Sequence, residues 1–121
     1  MSETERNLAS VRRYYALVDA DDVPGLVALF APDAVYRRPG YEPLRGRDDL
    51  TAFYSGARVI ASGRHTIETE VAGPTGVAVS GRLAGVLKDG TARELRWADF
   101  YTFTPEGLLA TRDTFFFAPM V

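Results

Sequence analysis

Leu8, Val11, Tyr14, Tyr15 and Val18 recur at steps of three and four residues, the period of an amphipathic helix, and predict a first helix from about residue 4 to about residue 20. Asp21 and Asp22 then supply carboxylates where a second helix would begin. Pro24 fits its first turn, Leu26, Leu29 and Phe30 form its buried face, and Pro32 ends it. The segment DAVYRRP alternates as a short strand, with Val35 and Arg37 on one side and Tyr36 and Arg38 on the other. Pro39 and Gly40 open a loop that runs to Gly46. Helical spacing returns at Leu50, Phe53, Tyr54 and Ala57, which predicts a third helix over about residues 47–61, with Asp48 and Asp49 at the positive end of its dipole.

After Gly63 the pattern becomes that of strands separated by the turn signals GPTG at 73–76, KDG at 88–90 and TPEG at 104–107. Four antiparallel strands in three hairpins follow. Helices first and then a meander of long strands predict an α+β domain in which a curved sheet wraps around the helices. In the strand LRWADFYTF, alternation puts Leu95, Trp97, Asp99, Tyr101 and Phe103 on one face. A carboxyl group among aromatic neighbours is costly to ionise, which raises its pKa and equips it to donate a hydrogen bond. The alternative is an edge position wet enough to solvate Asp99. The last strand, LLATRDTFFF, groups Thr111, Asp113, Phe115 and Phe117, with Arg112, Thr114 and Phe116 opposite. Asp113 is thereby a second acid in an aromatic setting, or else a surface partner of Arg112 or Arg96.

The length of 121 residues fits a single domain spanning 1–121, and the 46% hydrophobic and 12% aromatic content is enough to fill its core. There is no cysteine and one histidine, His65. Thiol nucleophiles and metal sites needing several imidazoles are therefore excluded, and no metal or other cofactor is expected. Chemistry falls to carboxylates, tyrosines, arginines and one imidazole. Of the 14 basic residues only Lys88 is a lysine, and the net charge of −2 gives no attraction to nucleic acid or to an anionic membrane. The polar, acidic start MSETERNLAS lacks the features of a signal peptide, and no apolar run approaches the roughly 18 residues of a membrane span. A cytoplasmic location is the expectation.

The run RYYALVDADDVPGLVALFAPDAV resembles the N-terminal helices and first strand of the bacterial ketosteroid isomerases. These belong to the superfamily that includes nuclear transport factor 2, SnoaL-type polyketide cyclases, scytalone dehydratase and limonene epoxide hydrolase. GRDDLTAFY is similar to the third helix of that group, and RWADFYTF to the strand bearing its buried acid. The resemblance implies a cone-shaped, cystatin-like α+β fold, in which three N-terminal helices pack in a strongly curved, mostly antiparallel sheet. It also implies a deep apolar pocket, a homodimer, and a small apolar, polyketide-like or steroid-like ligand. By resemblance, the isomerase oxyanion hole falls on Tyr14 and Asp99, with Tyr54 supporting it. In ketosteroid isomerase itself, a tyrosine and a protonated aspartic acid stabilise the enolate. Trp97, Phe53, Phe115 and Phe117 are then expected to line the pocket.

The isomerase base is an aspartate just before a proline at the end of the first strand, where this chain has Arg38 before Pro39. A guanidinium cannot abstract a proton. If Arg38 points inward it is a clamp for a substrate anion or for Asp113, and the base passes to Asp113 or His65. A carboxylate–arginine–carboxylate unit of Asp99, Arg38 and Asp113 would instead resemble limonene epoxide hydrolase. Its own arginine would lie two residues before the first acid, which here is Trp97. His65 is otherwise a structural histidine at a strand start. Asp19, Asp21 and Asp22 read as solvated capping of a helix junction. The resemblance thus implies an isomerase, cyclase or dehydratase acting by acid–base chemistry. The alternative is a module that binds a ligand, or a second copy of itself, without catalysis.

Overall fold

In the computed structural model, which describes residues 2–117, helix α1 (Glu3–Asp19) forms where the three- and four-residue spacing places it and buries Val11, Tyr14, Tyr15 and Val18. Ser2 caps it by accepting a hydrogen bond from the Glu5 amide, 3.1 Å away. Asp22 does the same for α2 (Val23–Val27), accepting from Gly25 N at 3.0 Å.

Helix α2 is a single turn, and strand β1 (Phe30–Arg37) begins inside what the spacing predicts as helix. Two hydrogen bonds account for the difference. The Leu109 amide donates to Leu29 O at 2.9 Å, and the Arg47 guanidinium donates twice to Phe30 O, at 3.0 and 2.7 Å. Both carbonyls that would continue the helix are therefore taken by groups distant in sequence. Pro32 lies within the strand, solvent-exposed, where the pairing register of β1 shifts between Phe30 and Val35. Proline is tolerated there because it has no amide to pair.

The short strand β2 (Leu44–Arg45), inside the predicted loop, leads into α3 (Gly46–Ala52). The predicted third helix stops early. A wide turn over Phe53–Ala57 closes with Arg58 N donating to Phe53 O at 2.9 Å, and Val59 is drawn toward the sheet by the Lys88 amide, also at 2.9 Å. Strands β3 (Ile60–Ala72), β4 (Gly76–Leu87), β5 (Ala92–Phe103) and β6 (Leu109–Phe116) follow. They form the predicted three-hairpin meander. The six-stranded sheet has the order β2-β1-β6-β5-β4-β3, and only β1 against β6 is parallel.

Gly81 enables a close approach within the sheet. A Cβ there would sit 2.0 Å from Thr66 O, beside the register shift between Ile67 and Thr69, so no side chain fits without moving backbone. The core lies between α1 and the inner faces of β1, β5 and β6, built on Tyr14, Phe30, Tyr36, Trp97 and Tyr101. Among the described residues, four polar ones are buried with it: Asn7, Asp99, Arg112 and Thr114. Among the described residues no helix is long and apolar enough to cross a membrane.

Candidate functional site

Alternation on β5 turns Asp99 inward, and it is wholly inaccessible to solvent. In the β5–β6 pairing Asp99 stands opposite Thr114, and Tyr101 opposite Arg112. Directly opposed residues share a face, so Thr114 and Arg112 are inward too. Arg112 Nη2 donates to Asp99 Oδ2 at 2.9 Å. Tyr15 OH donates to the same oxygen and Thr114 Oγ1 to Oδ1. Tyr101 OH donates to Tyr15 OH at 2.6 Å and lies 3.4 Å from Oδ2. Arg112, Tyr15 and Thr114 thus all donate to Asp99, whose two oxygens are engaged by protein groups and anchor Arg112.

Burial opposes the charge of Arg112. The Asp99 carboxylate and the Tyr101, Tyr14 and Tyr36 phenols outweigh burial, and its pKa stands well above the ordinary value. The guanidinium lies between the Tyr14 and Tyr36 rings, 4.7 and 4.4 Å from their centroids, a favourable setting for a desolvated cation. Nη1 donates to Tyr14 OH and, at 3.1 Å, to Tyr54 OH, while the two phenols bond to each other. Burial raises the Tyr14 pKa well above normal even though Arg112 pulls it down. The phenol therefore stays protonated. Tyr14 is buried and Tyr54 partly buried. One hydroxyl proton of this pair is used between the two phenols, which leaves the other without a protein acceptor.

A second unit joins the end of α1 to β3. Asp19 Oδ1 lies 2.6 Å from His65 Nδ1, and Oδ2 accepts the His65 backbone amide at 2.8 Å. With Asp19 accepting from Nδ1, the ring leaves Nε2 as its basic nitrogen. The ring packs 5.1 Å from Tyr15 and 5.7 Å from Trp97, centroid to centroid. That burial lowers its pKa below the ordinary value. The bond to Asp19 raises it in part, and Arg112 and Arg58 lower it further.

Both units border one narrow cavity of about 20 Å³, room for a single water. Its walls include Tyr14, Tyr36, Tyr54, His65, Trp97, Arg112 and Phe116, with Arg38 and Arg58. It adjoins a vestibule of about 210 Å³ that shares Val18, Tyr54, Arg58 and Ile60 with it and adds Asp19, Asp21 and Lys88. Arg38 is held among three rings, 5.1–5.3 Å from the centroids of Tyr41, Phe53 and Phe116. Among the described residues no group of three or more His, Asp or Glu side chains is placed to hold a metal ion.

Of the residues singled out in the sequence, Tyr14, Tyr54, His65, Trp97 and Arg38 share this cavity. Asp99 sits behind its wall, and Phe53 is buried beside Arg38 as support. Asp113, Phe115 and Phe117 do not join them. Asp113 faces outward and pairs with Arg37 at 3.3 Å, its side chain 40% exposed, while Phe115 and Phe117 are 56% and 69% exposed. The inner face of β6 carries Arg112, Thr114 and Phe116 instead, so the unit of Asp99, Arg38 and Asp113 is not assembled. The parity of the hairpin could have revealed this, because Asp99 inward forces Arg112 inward. Asp19 is likewise the partner of His65 and not merely a solvated cap. Its spacing of four from Tyr15 placed it on the inner edge of α1.

The SnoaL-like domain family matches residues 11–111. Among solved structures, an NTF2-like protein of unknown function from Burkholderia pseudomallei superposes with a TM-score of 0.84 at 22% identity, over 93% of this chain and 91% of its own. The epoxide hydrolase/cyclase-like enzyme SalBIII, of pyran ring formation in the polyether salinomycin, gives 0.84 at 21% identity, over 97% and 95%. A candidate ketosteroid isomerase from Kribbella flavida gives 0.81 at 24% identity, over 100% and 84%. The α+β, NTF2-like fold is common to all three.

Proposed function

The chain belongs to the SnoaL-like domain family, and from that premise we propose that it is a cofactor-free enzyme that moves a proton on a small carbonyl or polyketide-like substrate, as an isomerase, cyclase or dehydratase. The observation that carries this reading is the 2.6 Å bond between Asp19 and His65 Nδ1 beside the cavity. It supplies a neutral imidazole with its basic nitrogen free, at a residue type that titrates close to working pH. Nε2 of His65 takes a proton from the carbon next to the carbonyl, and the electron pair of the broken C–H bond moves onto the carbonyl oxygen. Tyr54 donates to that oxygen, with Tyr14 and the Arg112 cation behind it. Donors fixed in advance around a developing negative charge stabilise the transition state more than the ground state. The imidazolium then returns the proton at another atom. In this reading Asp99 is a positioning residue that holds Arg112, and Arg38 takes no part in proton removal.

A second copy of the chain is the partner we propose for the outer face of the sheet. Phe100, Phe115 and Phe117 are each more than half exposed there, and the first two stack edge to face at 5.8 Å. Clusters of large exposed apolar side chains mark interaction surfaces.

The acid–base reading is tested by proton NMR of cyclic ketones and keto acids in deuterium oxide. The protein should wash out their α-protons faster than buffer does, and His65→Gln should abolish the effect. Exchange at the buffer rate across the panel would indicate a non-catalytic binding module. Exchange untouched by His65→Gln would place the base elsewhere.

A further inference from the structure

Among the described residues, the buried side-chain nitrogens and oxygens without a hydrogen-bond partner are Arg38 Nε, Arg58 Nε, Trp97 Nε1 and Arg112 Nε. All four are donors, and all four residues line the same cavity. A buried donor left unpaired is costly, so a group of them on one cavity calls for an acceptor-rich occupant. The charges point the same way. The Arg112 cation is balanced by Asp99, and the Asp19 carboxylate is engaged by His65. Arg38 and Arg58 form no ion pair with any described residue, and no Asp or Glu lines the cavity. Two guanidinium groups therefore face it uncompensated.

Each is also held in place by aromatic rings. Arg38 is packed among Tyr41, Phe53 and Phe116, and Arg58 lies 5.6 Å from the Tyr54 ring centroid. Arg38 has one weak tie to protein oxygen, Nη1 to Tyr36 OH at 3.4 Å, and its buried Nε has no protein partner. The planar fork of a guanidinium matches a carboxylate better than any neutral group.

We propose that the substrate is an organic acid whose carboxylate is held by Arg38 and Arg58, with the rest of the molecule extending into the adjoining vestibule. Arg58 borders both spaces, which suits a group lying at their junction. The inference rests on the acid–base reading only in taking this cavity as the ligand site, and its test does not depend on turnover.

Trp97 is the single tryptophan of the chain and a wall of the cavity, so its fluorescence reports occupancy directly. Titration with cyclohexanecarboxylate should perturb it and give an affinity about tenfold or more above that for the neutral cyclohexanecarboxamide, the scale of charge-assisted hydrogen bonds. Arg58→Gln and Arg38→Gln should each remove most of that preference. Arg58→Lys, which retains the charge, should keep part of it, and urea unfolding of each variant separates a lost site from a lost fold. Equal binding of acid and amide, no binding of the acid by the wild-type protein, or a preference unchanged in folded Arg58→Gln and Arg38→Gln variants would overturn the proposal. Equal binding would leave the acid–base reading standing, whereas absent α-proton exchange with the acid preference intact would remove that reading and leave this one.

Discussion

Arg112 Nη2 lies 2.9 Å from Asp99 Oδ2, with 6% and 0% of the two side chains exposed. Neither charge has another described ion partner. Removing one member of such a pair strands the other in the core, at a cost of about 3–5 kcal/mol. Arg112→Met and Asp99→Asn should each lower stability on that scale in urea unfolding at neutral pH. The double variant should lose less than the sum of the two. Strict additivity would mean that the pair does not act as a unit.

The Asp19→Asn variant should keep the fold and lose activity. An amide at position 19 can donate to Nδ1, which moves the ring proton to Nε2 and blocks the basic nitrogen. The expected fall in the α-proton exchange rate is about 10²- to 10⁴-fold, as when the histidine of a catalytic triad is held in the wrong tautomer. Circular dichroism checks the fold.

Stability should fall in mild acid through His65. Burial sets its folded pKa below the ordinary value, so on acidification the unfolded chain takes up this proton first. The contribution of the neutral ring is fully present above the unfolded pKa of about 6.5 and is lost as pH drops from there through the folded pKa. Urea midpoints measured between about pH 7 and 5 should decline more steeply for the wild-type protein than for His65→Gln. Parallel declines would contradict a depressed pKa.

Phe115 belongs to the exposed aromatic cluster on the outer face of β6. If a second copy covers that cluster, sedimentation velocity should show a dimer, and Phe115→Asp should weaken it by about tenfold or more without unfolding the chain. A monomer at every concentration, or a dimer indifferent to the substitution, would contradict this.

Period and parity made most of the fold legible in the sequence. The spacing of Val11, Tyr14, Tyr15 and Val18 gave α1, and the turn signals gave the meander. Alternation put Trp97, Asp99 and Tyr101 on the inner face of β5. Local spacing could not show that Leu29 and Phe30 would leave the helix, because the groups that take their carbonyls, Leu109 N and Arg47, lie elsewhere in the chain. The site was half legible for a similar reason. Tyr14, Tyr54 and His65 stood out by residue type and resemblance. By residue type Asp113 is the more conspicuous candidate than its neighbour Arg112, although the β5–β6 pairing that turns Asp99 inward also turns Arg112 inward. Asp19 gives no local signal, because a carboxylate at a helix end needs no partner to explain it, and its partner is 46 residues away.

The proposed acid–base chemistry turns on the tautomer of His65, and the chain has a single histidine to observe. Nitrogen-15 NMR of the labelled imidazole through a pH titration measures it directly. A proton on Nδ1, an unprotonated Nε2 at neutral pH and a midpoint below about 6.5 are expected. A ring protonated on Nε2 at neutral pH, or a midpoint above about 7, would contradict the assignment of His65 as the base held by Asp19.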